Sequence, residues 1–302
     1  ARGAGSAEVL AQRLHCLIAV TDWLASGGRT VFLQDADSLI IRTPELLEVL
    51  RYLKETLPAV ERVTSYARAR TAARKSLEEL KALHGAGLSR LHIGLESGCD
   101  EVLQEVQKGV TAEQHISAGR KVVESGISLS EYVMPGLGGR KWSVRHALDT
   151  AAVLNQINPH FIRLRSLIVR RSSPLNARLV AAAFEELPED GVVDEIGLLI
   201  ENLDCTSYVT SDQMSNLLPE VEGKLPDDQE AMLKTVNAYK TMSPTERLAL
   251  RLNRRLRSYL GVRGILDEGL AEKVDAARRA MEAGSPDAPS VVEGAIAALK
   301  EG

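Results

Sequence analysis

The sequence predicts an α/β protein in which residues 1–174 form a partial βα barrel and residues 175–302 form a mainly helical extension. Segments typical of buried strands begin near residues 30, 62, 89, 127 and 161, and segments of helical periodicity lie between them. A βα unit about every 30–40 residues is typical of parallel strands joined by helical crossovers. Polar residues at alternate strand positions favour a barrel with a polar interior over a doubly wound sheet, whose strands are covered on both faces.

The individual elements follow from periodicity and from start signals. Thr43 and Pro44 supply a cap and a first-turn proline, and Ser76 with Glu79 predicts a capping box. The predicted strands of the barrel span residues 29–35, 62–66, 88–95, 127–134 and 161–169. The predicted helices between them span residues 6–25, 43–57, 76–83, a segment from 100, 111–126 and 143–156. Beyond residue 174 we predict a short strand over 205–209 and helices over 190–202, 227–239, 244–259, 267–283 and 290–300.

The polar strand positions share one face. His92, Gly94 and Glu96 occupy one phase of the third predicted strand, and apolar residues occupy the other phase. Arg163 and Arg165 likewise alternate with apolar residues in the fifth. One face therefore packs on helices, and the other faces a polar interior that is able to hold a ligand. This pattern predicts an α/β partial barrel of the TIM-barrel-like kind.

Composition narrows the class of protein. The 302 residues are 44% apolar and 26% charged, which excludes disorder of the whole chain. A net charge of −4 provides no general field for binding nucleic acid, which we do not expect as a partner. Three scattered cysteines do not form a disulfide framework and predict a reducing, cytoplasmic setting. No apolar run reaches the roughly 18–20 residues that a membrane span needs, so we expect no contact with a membrane.

The candidate functional residues lie at the carboxyl ends of the predicted strands, where βα barrels place their sites. They combine acids, arginines and a glycine-rich turn, which suits a ligand with an amine, a carboxylate, hydroxyls and a flat ring. These residues are Gln34, Asp35, Asp37, Ser38, Tyr66, Arg68, Arg70, Glu96, Ser97, Gly98, residues 135–139, Arg163, Arg165 and Ser166.

Three motifs among these residues resemble the radical S-adenosylmethionine enzymes. They are Phe-Leu-Gln-Asp-Ala-Asp-Ser over residues 32–38, Gly-Leu-Glu-Ser-Gly over 94–98 and Pro-Gly-Leu-Gly-Gly over 135–139. The second is typical of the branch whose fourth strand ends in this sequence. The resemblance covers roughly residues 7–174, and it implies a partial βα barrel that binds S-adenosylmethionine.

The resemblance also implies roles for single residues. Asp35, Asp37 and Ser38 match the segment that binds the amino group of S-adenosylmethionine. Glu96 matches the position that meets the ribose hydroxyls, with Ser97 beside it, and Gly136 and Gly138 match the turn that approaches the adenine. Arg163 or Arg165 is expected at the methionine carboxylate, where a bidentate pair can form. The expected substrate contacts are Tyr66, Arg68, Tyr132 and Arg165.

One element of the family is missing from this sequence. The family binds a [4Fe–4S] cluster through a Cys-x-x-x-Cys-x-x-Cys loop after its first strand, and Cys16, Cys99 and Cys205 do not have that spacing. We therefore expect no metal ligand in this chain and expect the first strand and cluster loop to lie upstream of Ala1. The resemblance implies an enzyme when that segment is present, whereas this polypeptide alone is not expected to generate a radical. It also implies an electron donor such as flavodoxin or ferredoxin.

Two other functions remain open at this stage. A βα-barrel fragment could bind a nucleotide-like ligand or serve as a scaffold without catalysis. A βα-barrel lyase or isomerase could use Glu96 and His92 as acid and base.

Each candidate also has a structural alternative. Acids such as Asp35 and Asp37 can cap a turn, and Glu96 with Ser97 can cap the helix that begins near residue 100. The glycine-rich turn can serve flexibility alone. The two interior arginines can pair with Glu96 or Glu131, because an unpaired charge inside a barrel is costly. For His92, an interior histidine with satisfied hydrogen bonds competes with a ligand-binding one.

Overall fold

The computed structural model describes residues 4–34 and 36–301, which form one seven-stranded sheet covered by helices. The strands follow one another in the sheet in chain order, and the first six run parallel. A short antiparallel strand ends the sheet. The strands are β1 (Thr30–Leu33), β2 (Arg62–Ala67), β3 (Leu88–Glu96), β4 (Ser128–Val133), β5 (Phe161–Leu164), β6 (Tyr208–Thr210) and β7 (Gly223–Lys224). The sheet does not close on itself, so the predicted α/β partial barrel is confirmed.

Several helices begin where the sequence supplies a cap. The cap predicted from Thr43 is wrong, because Arg42 is the N-cap of that helix and makes no side-chain cap, whereas the first-turn proline Pro44 is confirmed. Ser76 with Glu79, Thr111 with Gln114, and Ser243 with Glu246 each form a complete capping box. The helices are α1 (Ala4–Ala25), α2 (Thr43–Thr56), α3 (Ala69–Arg74), α4 (Leu77–Gly85), α5 (Asp100–Glu105), α6 (Ala112–Glu124), α7 (Gly139–Ile157), α8 (Pro174–Val180), α9 (Glu189–Glu201), α10 (Gln229–Thr241), α11 (Pro244–Arg263), α12 (Glu268–Glu282) and α13 (Ala288–Glu301). A short 3-10 helix spans Ser38–Ile40.

The two faces of the sheet differ as the alternating pattern predicts. The convex face carries apolar side chains such as Leu91, Ile93 and Ile162, which are buried under the helices. The concave face carries the opposite phase, in which His92 and Arg163 lie. The convex face therefore forms the core, and the concave face is free to carry a site.

The sheet and its core continue beyond residue 174. β6 and β7 extend the sheet, and the buried residues of α9 and α10 join the main core. In contrast, α11, α12 and α13 pack mainly around a second core that includes Leu252, Val274 and Val292. In the described ranges, no helix has the length and apolar character that crossing a membrane requires.

Several boundaries differ from the sequence prediction. β5 ends at Leu164, because Asn216 takes over beyond that point: its amide donates to the Leu164 carbonyl oxygen and accepts from the Ser166 N–H. α7 begins at Gly139 rather than near residue 143, so the last glycine of the turn belongs to the helix. The helices α3 and α8 and the strand β7 were not predicted, and each is only two to seven residues long.

Candidate functional site

Four aromatic rings from four neighbouring strands line the concave face. The ring centroids of Phe32 and Tyr66 are 4.8 Å apart, and those of His92 and Tyr132 are 5.5 Å apart. The Phe32 and His92 rings are stacked at an interplanar angle of 9°. We call these four residues the aromatic row. Phe32 is 36% exposed and the two tyrosines are half-buried, so the row offers an accessible aromatic wall.

Two arginines lie over one end of the aromatic row. The guanidinium carbons of Arg163 and Arg165 are 5.7 and 5.2 Å from the Tyr132 ring centroid. Both arginines form ion pairs with Asp212, and the distance from Arg165 Nη1 to Asp212 Oδ1 is 2.7 Å. Burial opposes ionisation of Asp212, but its hydrogen bonds from Arg165 and Arg163 hold its pKa below the ordinary value. The acid that pairs with the arginines is therefore Asp212.

The sequence-based alternative named Glu96 or Glu131 as that acid, and this was wrong. Glu131 is fully buried on the convex face, opposite the arginines, because it is in register with Ile93 and Ile162. Burial raises the pKa of Glu131 well above the ordinary value, and the charge of Glu96 raises it further. Glu131 is therefore a neutral acid in the core.

Glu96 has a strained backbone at the carboxyl end of β3. Its φ is +62°, in the left-handed region that non-glycine residues seldom adopt, and the register of β3 with β4 shifts between Gly94 and Glu96. The Glu96 carboxylate folds back over Gly94 and lies 3.2 Å from Lys108 Nζ. A Cβ on residue 94 would lie 2.2 Å from the Glu96 carboxylate, so a side chain there would displace the carboxylate from this position. Such strain is concentrated at functional sites.

A buried network lies behind the rim, on the helix side of the sheet. His146 Nε2 donates to the Met134 carbonyl oxygen at 3.1 Å, which leaves Nδ1 to accept from the Ser97 hydroxyl at 2.7 Å. Glu195 accepts from the Gly136 N–H and from the Ser143 hydroxyl, each at 2.6 Å. We call Ser97, His146 and Glu195 the buried triad. It connects the Gly-Leu-Glu-Ser-Gly turn, the glycine-rich turn, α7 and α9.

The buried triad is largely uncharged between about pH 4 and pH 7. Burial lowers the pKa of His146 to about 4. Burial raises the pKa of Glu195 to about 7, although its hydrogen bonds from Ser143 and Gly136 act in the opposite direction. Because both residues are almost completely buried, the triad positions the two turns and is closed to a ligand.

The remaining predicted residues lie apart from the aromatic row. Asp37 accepts a hydrogen bond from the Arg68 N–H at 3.2 Å and one from the Thr71 hydroxyl at 2.5 Å, so it caps α3. Ser38 begins the short 3-10 helix and is half-buried, and the Arg68 side chain is exposed. Asp35 lies outside the described residues.

The glycine-rich turn is covered by protein. Gly136 and Gly138 are both buried, and a Cβ on Gly136 would lie 3.3 Å from Val192 of α9. A Cβ on Gly138 would lie 3.1 Å from the Trp142 side chain. The structure therefore brings Tyr66, Tyr132, Arg163 and Arg165 together on the concave face with Glu96 at its rim, whereas Ser97, Gly136 and Gly138 form the layer behind.

Replacing Gly98 with alanine is expected to lower the free energy of unfolding by about 2 kcal/mol. A Cβ on Gly98 would lie 2.4 Å from the Asp149 carbonyl oxygen, and the Gly98 N–H donates to Thr150 Oγ1 at 2.8 Å. Urea unfolding measures the loss. The control is Gly294→Ala inside α13, where a Cβ meets nothing within 4 Å and helix propensity should raise stability by about 0.5–1 kcal/mol. Equal effects of the two substitutions would contradict the close packing of this turn on α7.

The three cysteines do not fit the ligand set of an iron–sulfur cluster. Cys16 is exposed on α1, whereas Cys99 and Cys205 are buried in separate parts of the chain. Burial raises the pKa of the Cys99 thiol to about 11, although a ligand must be a thiolate. The acid beside it, Glu101, already pairs with Arg145. Among the described residues, these side chains provide no cluster site.

Four residues of the site were absent from the sequence-based set: Lys108, His146, Glu195 and Asp212. Asp212 follows the last parallel strand, so the rule that placed the other rim residues could have found it if β6 had been extended to Thr210. No signal in a single sequence pairs His146 with Ser97 or Glu195, because these contacts cross 49 residues of chain in either direction.

An open, mostly parallel βα barrel with a polar and aromatic concave face and its acids and arginines at the carboxyl rim is typical of cofactor-binding α/β enzymes. Residues 18–151 match the sequence model of the Radical SAM superfamily, and this part of the chain belongs to that superfamily. The resemblance to radical SAM enzymes that the three motifs indicate is thus confirmed at the level of the superfamily.

A solved structure shows the same fold at low sequence identity. Elp3 of the archaeon Methanocaldococcus infernus, with an N-terminal deletion, is 14% identical, with a TM-score of 0.52 over 74% of this chain and 58% of its own. HemN of Escherichia coli, a coproporphyrinogen III oxidase and radical SAM enzyme, is 16% identical, with a TM-score of 0.48 over 57% of this chain and 40% of its own. This chain thus spans less than two thirds of either structure. No curated protein sequence matches it.

Proposed function

We propose that this chain is the S-adenosylmethionine-binding core of a radical SAM enzyme and that the concave face is its reaction site. The observation that carries the proposal is the strained Glu96, which lies at the carboxyl end of β3, within the segment that belongs to the superfamily. A carboxylate held there can accept hydrogen bonds from two neighbouring hydroxyl groups, as the ribose presents them.

The residues around Glu96 suit the other parts of the ligand. Arg163 and Arg165 present donors above the Tyr132 ring, where a carboxylate such as that of the methionine moiety can share them with Asp212. Asp35, Asp37 and Ser38 are proposed to bind the amino group of S-adenosylmethionine. Asp37 would do so from its position beside the start of α3. Ser97, Gly136 and Gly138 are proposed to shape the site from behind, because the buried triad holds their two turns together.

The reaction itself needs groups beyond these residues. In this superfamily, S-adenosylmethionine supplies, after one-electron reduction, a 5′-deoxyadenosyl radical that abstracts hydrogen from a substrate. The cysteines of this chain take no part in the proposal, since their positions do not fit a [4Fe–4S] cluster. We further propose a cytoplasmic enzyme served by an electron donor of the flavodoxin or ferredoxin kind.

Equilibrium dialysis with radiolabelled S-adenosylmethionine tests the proposal. The chain is expected to bind it, and Glu96→Gln is expected to weaken binding roughly tenfold, because a charge-assisted hydrogen bond contributes about 1.5 kcal/mol or more. Glu113→Gln, an exposed acid in the first turn of α6, is the matched control and should leave binding unchanged. Failure of the chain to bind S-adenosylmethionine, or equal affinities of the two variants, would refute the proposal.

A further inference from the structure

Two guanidinium groups on the concave face have no acidic partner among the described residues. Arg62 begins β2, and Arg90 lies near the start of β3. The Arg90 guanidinium stacks over the Phe161 ring at 4.2 Å, and its Nε donates to Ser128 Oγ at 3.3 Å. Its two terminal nitrogens find no acceptor in the described parts of the chain, so they remain available to a ligand.

The two described acids at the carboxyl rim of this face are already paired. Asp212 is bound by Arg163 and Arg165, and Glu96 by Lys108. Burial and the nearby charges of Arg62 and Arg163 lower the pKa of Arg90, which indicates an excess of positive charge that no carboxylate relieves.

Buried polar atoms on the same face also lack partners. Within the described residues, neither His92 Nδ1 nor Arg163 Nε has a hydrogen-bond partner, although both atoms are buried. Burial, followed by the charges of the surrounding arginines, lowers the pKa of His92 to about 4, so its ring is neutral at physiological pH. A buried polar atom without a partner costs free energy that a bound ligand can recover.

Arg62 and Arg90 lie at the amino ends of their strands, away from the site proposed for S-adenosylmethionine. Arg90 precedes Glu96 by six residues, which is about 20 Å of extended strand. The sulfonium of S-adenosylmethionine is positively charged and is repelled by arginines that no acid neutralises, unlike Arg163 and Arg165, which Asp212 pairs. The unpaired charge therefore belongs to a different ligand.

We propose that the concave face binds the substrate as an oxyanion with a flat, unsaturated body. The oxyanion, a carboxylate or a phosphate, lies at Arg62 and Arg90, where guanidinium donors match its oxygens. The flat body lies along the aromatic row, in contact with Tyr66, His92 and Tyr132. The claim that this ligand is the substrate rests on the proposed function. The claim that the face binds an anion rests on the arginines and the rings alone.

Ligand-observed NMR titration of the full chain with three flat probes tests the inference. 2-Naphthoate and 2-naphthyl phosphate are expected to bind, and the better of the two identifies the oxyanion. The neutral 2-naphthalenemethanol should bind at least fivefold more weakly than the better anion. Equal affinities for the neutral and anionic probes would overturn the proposal.

Variants separate the anion site from the rest of the face. Arg90→Gln should weaken the binding of both anionic probes at least fivefold and leave the binding of the neutral probe unchanged. The same is expected, independently, of Arg62→Gln at an exposed position. Arg278→Gln on the exposed surface of α12 is the matched control. Unchanged anion affinity in both Arg62→Gln and Arg90→Gln would overturn the inference.

Dialysis with S-adenosylmethionine distinguishes this inference from the proposed function. Arg90→Gln should bind S-adenosylmethionine as the unsubstituted chain does, and saturating 2-naphthoate should not displace it. If anions bind through Arg90 while S-adenosylmethionine does not bind at all, the anion site stands and the proposed function falls. If 2-naphthoate displaces S-adenosylmethionine competitively, the two ligands share one site and the assignment to a separate substrate falls.

Discussion

Replacing Glu189 with glutamine is expected to lower the free energy of unfolding by about 3–5 kcal/mol. Glu189 is only 7% exposed at the start of α9, and its Oε1 accepts hydrogen bonds from Arg255 at 2.8 and 2.5 Å. Arg251 Nε donates to Oε2 at 2.8 Å, and Lys300 Nζ lies 3.2 Å from Oε1. Without the negative charge, the buried Arg255 loses its counter-charge, and the ion pairs of Glu189 with Arg251 and Lys300 are lost as well.

Urea unfolding at pH 7 measures the loss, and hydrogen exchange should locate it first in α11–α13. Asp194→Asn is the matched control, because Asp194 pairs with Lys240 at the surface, where the side chains are 58% and 48% exposed. Such a pair contributes at most about 1 kcal/mol. A loss below 1 kcal/mol for Glu189→Gln would contradict the buried network.

The Glu189 carboxylate also predicts how the stability of the protein changes at low pH. Burial opposes the ionisation of Glu189, but Arg255, Lys300 and Arg251 lower its pKa to about 2. A folded-state pKa below the unfolded value means that the stabilisation is present above pH 4.5 and is lost as the pH falls towards 2. Glu189→Gln should therefore lose less stability than the unsubstituted chain over that range.

The barrel could be predicted from the sequence because its strands and helices are long enough to show periodicity. β3 has nine residues and alternates over residues 90–96. α6 combines a stripe of apolar residues with a capping box, and α2 combines such a stripe with a first-turn proline. α3, α8 and β7 could not be predicted, since six, seven and two residues do not complete a pattern. They form because tertiary contacts hold them, as Asp37 does for α3.

The rim of the site was predictable and its second layer was not. Strand ends converge in a parallel barrel, so Glu96, Arg163 and Arg165 could be placed near one another from their positions alone. Which acid would neutralise the arginines depends on the geometry after β6, and Asp212 lies 47 residues beyond Arg165. The burial of Gly136 likewise depends on α9, whose packing no local pattern encodes.

Replacing Glu195 with glutamine is expected to make the protein progressively more stable than the unsubstituted chain as the pH rises, by about 3 kcal/mol between pH 4 and pH 8. The pKa of Glu195 is raised from 4.5 to about 7, mainly by burial. A raised folded-state pKa means that its stabilisation is fully present below pH 4.5 and is lost as the pH rises through 7. Glutamine stays neutral and can still accept from the Gly136 N–H and bond to the Ser143 hydroxyl.

The difference between the two proteins is the quantity to measure, by urea unfolding at several pH values. The absolute profile also contains His146, whose pKa is lowered to about 4, so its contribution rises with pH up to about 6.5 and masks that of Glu195. Subtracting one pH profile from the other removes the contribution of His146 as well as those of distant groups. The control is Glu185→Gln, an exposed acid paired with Arg140, for which the difference should stay flat within about 0.5 kcal/mol.

The outcome decides the charge state of the buried triad. A flat difference for Glu195→Gln would mean that the folded-state pKa of Glu195 equals its unfolded value, so that Glu195 is ionised at neutral pH. A rising difference means that the two turns behind the rim are held by neutral hydrogen bonds. Raising the pH above 7 would then place a buried negative charge beside the Gly136 turn, and the layer supporting the rim should loosen there first. Faster hydrogen exchange of the Gly136 N–H at pH 8 in the unsubstituted chain than in Glu195→Gln, after correction for the intrinsic pH dependence of exchange, is the expected sign.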